Sequence, residues 1–151
     1  MRTALITGTN RGIGLEFVRQ YVKDGWRVFA ACRNPATAEA LNHLATHYPD
    51  QITVHPLDVA NHQQIEQLSQ ALSTQTIDLL INNAGVYPPE HVDTFGKTNY
   101  AAWDYAFAVN TMAPLKMAEA FIQQISRSQQ KTIITITSKM GSIADNRGGG
   151  S

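Results

Sequence analysis

The stretch ITGTNRGIG, residues 6–14, decides the architecture. Before it stands an apolar run, Met1–Thr7 (MRTALIT), with the composition of a buried strand. After it, Ile13, Phe17, Val18, Tyr21 and Val22 recur at nearly i, i+4, i+8, which predicts a helix. Gly8, Gly12 and Gly14 form the spacing G-x-x-x-G-x-G between the two. Strand, glycine turn and helix in that order predict the opening of a βαβ unit.

Outward from this turn the same alternation continues. Trp26–Cys32 (WRVFAAC), Ile52–Leu57, Ile77–Ile81 (IDLLI) and Thr132–Thr137 (TIITIT) read as four further strands. Ile65, Leu68 and Leu72 make a helical stripe before the fourth strand, and a long helix is expected from about Tyr100 to Ser126 before the fifth. Alternating strands and helices predict an α/β fold with a doubly wound parallel sheet, strand order 3-2-1-4-5, as one domain over residues 1–151. No repeat or linker interrupts the chain. The longest loop, Val86–Thr98 (VYPPEHVDTFGKT), follows the fourth strand, where such sheets carry their ligand sites.

Bulk composition narrows the function. A chain of 151 residues, 43% hydrophobic, can bury about two-thirds of its surface without staples. Twelve basic and twelve acidic residues balance, which argues against a nucleic-acid or polybasic membrane surface. The single cysteine, Cys32, permits no internal disulfide and reads as a small buried residue. The opening residues lack signal-peptide regions, and no apolar run reaches the length of a membrane span. The expectation is a soluble, cytoplasmic protein.

The glycine turn has a chemical reading and a plain one. A tight turn alone can demand glycine. Here the turn also leads into a helix amino terminus, whose free N–H groups and dipole favour a pyrophosphate. No Gly-Lys-Ser/Thr follows, so the P-loop alternative fails. A dinucleotide fold selective for NAD usually places an acid about 20 positions on, against the ribose hydroxyls. That region offers Arg33 instead, and Arg11 lies within the turn. Two guanidiniums suit a 2′-phosphate, so NADP is expected over NAD; the alternative is that both arginines are merely solvated.

The motifs TGTNRGIG, LDV at Leu57–Val59, NNAG at Asn82–Gly85, VNT at Val109–Thr111 and ITSKMGSI around Ser138 stand in one order across the chain. In that set the sequence resembles the short-chain dehydrogenase/reductase family, and NNAGVY and GSIADN are most similar to its C-factor-like and carbonyl-reductase-like branch. The resemblance implies a Rossmann-like fold, a nicotinamide dinucleotide cofactor, which the two arginines make NADP, and hydride transfer to a small carbonyl compound or from an alcohol. It assigns the cofactor to Gly8, Asn10, Arg11, Gly12, Ile13, Gly14, Arg33, Asp58, Val59, Asn83, Ala84 and Gly85. Within that set Asp58 and Val59 would hold the adenine, and Asn83, Ala84 and Gly85 would line the ribose. Without it, Asp58 is a polar residue ending a strand and NNAG is a turn.

Two catalytic positions are expected. Pro114 has no N–H for the carbonyl of Asn110, so a kink and a freed carbonyl follow from the sequence itself. The resemblance gives that carbonyl a water in a proton relay; the alternative is simple hydration. Ser138 follows the fifth strand, and the resemblance makes it the donor to the substrate carbonyl, where it would steady the charge developing on oxygen. The alternative is a serine capping the strand end.

The family's proton donor is a tyrosine with a lysine four positions later. Tyr21, Tyr48, Tyr87, Tyr100 and Tyr105 are followed at that distance by Gly25, Ile52, His91, Asp104 and Val109. The expectation is therefore an amino-terminal fragment, inactive alone, whose closing GGGS is the native turn ahead of the missing tyrosine. A non-catalytic dinucleotide-binding module, or an interaction protein that kept the fold, are the other readings. A cut there would leave TIITIT as an exposed edge prone to self-association. His43 and His47 have helical metal-ligand spacing but no third ligand, so no metal is expected. Tyr87, Trp103, Tyr105 and Phe107 are candidates for a substrate pocket; the i, i+4 spacing of Trp103 and Phe107 favours the core instead.

Overall fold

A computed structural model describes residues 1–87 and 95–145. Its elements are β1 (Thr3–Thr7), α1 (Gly12–Lys23), β2 (Arg27–Cys32), α2 (Glu39–His47), β3 (Ile52–Pro56), α3 (His62–Ala71), β4 (Leu79–Asn82), α4 (Tyr100–Phe107), α5 (Ala113–Ser126) and β5 (Thr132–Thr135). The five strands form one parallel sheet in the order β3-β2-β1-β4-β5. This is the expected doubly wound arrangement. The order reverses beside β1, which opens a crevice at the carboxyl ends of β1 and β4.

The strand alternation builds two cores. Leu5, Phe29 and Leu80 face Ile65, Leu68, Met117 and Phe121 on one side of the sheet. Ala4, Ile6, Val28, Ala30 and Ile81 face Leu15, Val18, Val22 and Leu41 on the other. Both faces are therefore covered by helices, which is why the central strands read as unbroken apolar runs.

The fourth strand begins at Leu79, two residues later than the apolar pattern suggests. Asp78 explains the shift. Its carboxylate accepts from the Thr3 N–H at 2.7 Å and from the Ser128 hydroxyl at 2.6 Å, tying the start of β1 to the turn before β5. The fifth strand ends at Thr135, although Ile136 N–H still donates to the Asn82 carbonyl at 2.9 Å. β5 lies at the sheet edge beside β4, with Ile133 41% and Ile134 38% exposed.

Two helix expectations need correction. On α1 the buried residues are Gly14, Leu15, Val18 and Val22, while Ile13 is 63% exposed. The stripe turns one position later because the first turn opens toward the crevice. Trp103 and Phe107 are not core residues either. They are 43% and 53% exposed and meet edge to face, 6.2 Å between ring centroids. Spacing tells which residues share a helix face, not which face meets the sheet. No residue of α4 is buried; the core resumes at Val109, Ala113 and Met117.

Candidate active site

The turn between β1 and α1 is held by polar groups around it. Gly8 adopts φ +69°, and a Cβ there would lie 2.9 Å from Ala84 Cα. Gly14 packs closer still: a Cβ would fall 2.0 Å from the Gly8 carbonyl oxygen. Only glycine meets both demands. Asn83 Nδ2 donates to the carbonyls of Thr7 and Gly8, each at 3.1 Å. In return the Thr7 hydroxyl oxygen accepts from Asn83 N–H at 3.1 Å and Ala84 N–H at 3.0 Å. Thr9 is fully buried and donates its hydroxyl to the Ala31 carbonyl at 3.0 Å. The glycine turn, the NNAG turn and the end of β2 are thus one connected unit. Thr7 and Thr9 escaped the sequence reading; their signal is a hydroxyl residue on either side of Gly8, at the end of an apolar strand.

One cleft of about 290 Å³ opens at this end of the sheet. Gly8, Asn10, Arg11, Gly12, Ile13, Gly14, Arg33, Asp58, Val59, Asn83, Ala84 and Gly85 all line it, joined by Cys32, Leu57, Val86, Tyr105 and Val109. Cys32 is buried, and desolvation pushes its thiol above the ordinary value. Asp58 closes its own turn: one carboxylate oxygen accepts from Ala60 N–H at 3.0 Å, and Gln64 Oε1 accepts from Asp58 N–H at 2.8 Å.

The helix amino terminus in the cleft differs from those of α3 and α4. Asn61 and Asn99 cap α3 and α4, accepting from Gln64 N–H and Ala102 N–H. α1 has no side-chain cap at Arg11 and no acid in its first turn. Its first N–H groups therefore remain for an anion, with the dipole in support. Among the described residues, neither Arg11 nor Arg33 has a carboxylate within ion-pair distance. A dinucleotide phosphate fits this donor set: uncapped helix N–H groups, glycine backbone and two uncompensated guanidiniums.

A second cavity of about 430 Å³ adjoins the first along Asn83, Ala84, Gly85 and Val86, and brings Asn110 and Ser138 into one lining with Tyr87, Pro114 and Thr137. At the position of the expected kink, a π-helical segment over Ala108–Met112 interrupts the α-helical pattern between α4 and α5, with Ala113 N–H donating to the Ala108 carbonyl. Pro114 enters α5 at its first turn, where a missing N–H is tolerated. The Asn110 side chain has a job the sequence did not announce. It grips the backbone of Val86 from both sides, Nδ2 to the carbonyl at 2.7 Å and Oδ1 to the N–H at 2.9 Å. Ser138 caps a short 3₁₀ turn over Lys139–Gly141, accepting from Met140 N–H at 3.1 Å. That bond uses a lone pair and leaves the hydroxyl proton for another acceptor.

Of the other candidates, Tyr105 lines the first cleft and Tyr87 the second, while Trp103 and Phe107 line neither. The rings of His43 and His47 meet at a tilt of 58°, 4.4 Å between centroids, with His47 Nδ1 on the His43 carbonyl. Among the described residues, no group of three potential metal ligands exists and no helix is long and apolar enough to cross a membrane.

Comparison with known proteins identifies relatives of the chain and of its fold. The chain is 33% identical to the NADPH-bound carbonyl reductase from chicken fatty liver, with a TM-score of 0.83 over 96% of this chain and 62% of that one. A carbonyl reductase from Pseudomonas aeruginosa PAO1, in complex with NADP, aligns with a TM-score of 0.83 at 28% identity, over 95% of this chain and 64% of that one. Among curated proteins, (+)-neomenthol dehydrogenase of Arabidopsis thaliana is 29% identical over 94% of this chain and 55% of its own length. The chain thus spans little more than half the length of such curated relatives. The family model for short chain dehydrogenases matches residues 2–148, and the chain belongs to that family.

Proposed function

We propose that this chain is the cofactor-binding and carbonyl-polarising part of an NADP-dependent oxidoreductase acting on a small carbonyl compound or alcohol. The observation that carries the reading is the cleft in which an uncapped helix amino terminus, Arg11 and Arg33 converge, with no carboxylate among the described residues within ion-pair distance of either guanidinium. The α1 N–H groups would take the pyrophosphate, and Arg11 and Arg33 the 2′-phosphate. Asp58 and Val59 would border the adenine, and Asn83, Ala84 and Gly85 the ribose. When bound, the cofactor supplies or accepts a hydride.

Ser138 would donate its hydroxyl proton to the substrate carbonyl, stabilising negative charge as it develops on oxygen. The Asn110 main-chain carbonyl, deprived of a partner by Pro114, would hold a water on the route of the transferred proton. Tyr-x-x-x-Lys does not occur within the 151 residues, so the general acid would come from beyond them. A missing positioned acid costs typically about 10²–10⁴-fold. That same observation favours the second reading, a dinucleotide-binding module without turnover.

The deciding experiment begins with the intact mass of the protein as its source produces it. A mass above 16.6 kDa supports the oxidoreductase, with the tyrosine and lysine in the added segment. NADPH consumption is then followed with a panel of aldehydes, ketones and quinones. Turnover that falls about 10²–10³-fold in Ser138→Ala, at unchanged NADPH affinity, is the expected result. Tight binding with no consumption by the native protein would leave the binding module as the function.

A further inference from the structure

We propose that Tyr105 is a positioning residue that fixes Arg33 for a phosphate-bearing nucleotide and presents its own hydroxyl to the same anion. This rests on the NADP reading of Arg33 and adds a residue from the opposite part of the chain. Arg33 follows the last residue of β2, whereas Tyr105 stands on α4, 72 positions away. Arg33 Nη1 donates to the Tyr105 hydroxyl oxygen at 2.9 Å, and both residues line the first cleft.

The bond is informative because packing does not explain it. No residue of α4 is buried, so Tyr105 is not held there by the core. Arg33 is exposed, and an exposed arginine keeps its rotamer freedom unless something fixes it. Among the described residues no carboxylate fixes it. Tyr105 does so without neutralising the charge, as a carboxylate would. The acceptor geometry leaves four guanidinium N–H groups and the tyrosine O–H proton unspent. All are donors, which is the requirement of a phosphate dianion and a poor match for a ribose hydroxyl alone.

The test is the ratio of NADP⁺ to NAD⁺ affinity, measured by calorimetric titration of the protein as its source produces it, alongside Tyr105→Phe, Arg33→Ala and the double variant. Tyr105→Phe keeps the ring and removes the hydroxyl. It should weaken NADP⁺ binding about three- to tenfold, the loss of one exposed charge-assisted bond, and change NAD⁺ binding less than about twofold. Arg33→Ala should reduce the ratio further, and adding Tyr105→Phe to it should cost less than Tyr105→Phe costs alone, because only the hydroxyl's own bond to the anion is then left to lose. If Arg33→Ala lowers the ratio and Tyr105→Phe does not, the role of Tyr105 is overturned while the NADP reading stands. Equal weakening of both nucleotides by Tyr105→Phe also overturns it, since Tyr105 is then only a wall of the cleft. An unchanged ratio in Arg33→Ala defeats the NADP reading of Arg33 and the inference with it. Absence of binding to either nucleotide removes both.

Discussion

The Asn110 amide closes a two-point hydrogen-bonded ring on Val86, with Nδ2 on the carbonyl at 2.7 Å and Oδ1 on the N–H at 2.9 Å. This joins the π-helical segment to the backbone just after β4, where the two cavities meet. Asn110→Ala should therefore loosen Val86 before it affects the core. The expected outcome is amide exchange at Val86 faster by about tenfold or more, with about 1 kcal/mol of global stability lost. Unchanged protection of Val86 in the variant would mean the clamp holds nothing.

Gly14 and Gly12 belong to one motif but answer to different physics. A Cβ at Gly14 would fall 2.0 Å from the Gly8 carbonyl oxygen, and that oxygen is backbone. At Gly12 a Cβ meets nothing within 4 Å, and the only obstacle is φ +59°. Gly12→Ala should cost about 1–2 kcal/mol through its left-handed conformation. Gly14→Ala should cost more, about 3 kcal/mol or above, and disrupt the turn. Urea midpoints of the two variants decide it, and an equal or smaller loss at Gly14 would sink the packing argument.

The sheet was readable because buried parallel strands leave apolar runs of strand length, and five of them alternate with helical periods. The cleft was readable for a related reason: its residues lie in short contiguous motifs at strand ends, so local sequence carries their grouping. Tyr105 and the Asn110 side chain have partners that were not readable. Each acts on a partner far off in the chain, Arg33 and Val86, and a contact of that kind exists only once the fold brings α4 and the π segment over the cleft. Trp103 and Phe107 failed for the converse reason. Their pattern is sound, but the direction of the face is a property of the assembled layers.

His55 supplies a pH dependence. Its ring lies edge-on to Phe29 at 5.7 Å between centroids, Nε2 is buried without a partner among the described residues, and burial lowers its pKa below the ordinary 6.5. Between the lowered folded value and the unfolded one, the unfolded chain binds a proton that the folded chain refuses. Stability is thus full above about pH 6.5 and declines as pH falls toward the folded value. Urea midpoints at about pH 7.5 and about pH 5.5 test this. The drop between them should be smaller in His55→Gln than in the parent chain; equal drops would assign the effect to other groups.

The β5 edge makes the last prediction. Consecutive strand residues point to opposite faces, so the exposure of both Ile133 and Ile134 means that neither face of β5 is closed. Ile136 beyond the strand is exposed as well, and TIITIT carries no charge to deter pairing. A β-branched, uncharged segment with one side of its ladder unpaired among the described residues is a template for another strand. The 151-residue chain should therefore sediment with a mass that rises with concentration. Ile134→Lys places a charge on that edge and should suppress the rise while leaving the far-ultraviolet circular dichroism unchanged. A parent chain that stays monomeric across the range would show that the edge is protected. Association that persists in the lysine variant would move the contact away from β5, most directly to the exposed aromatic face of Trp103 and Phe107 on α4.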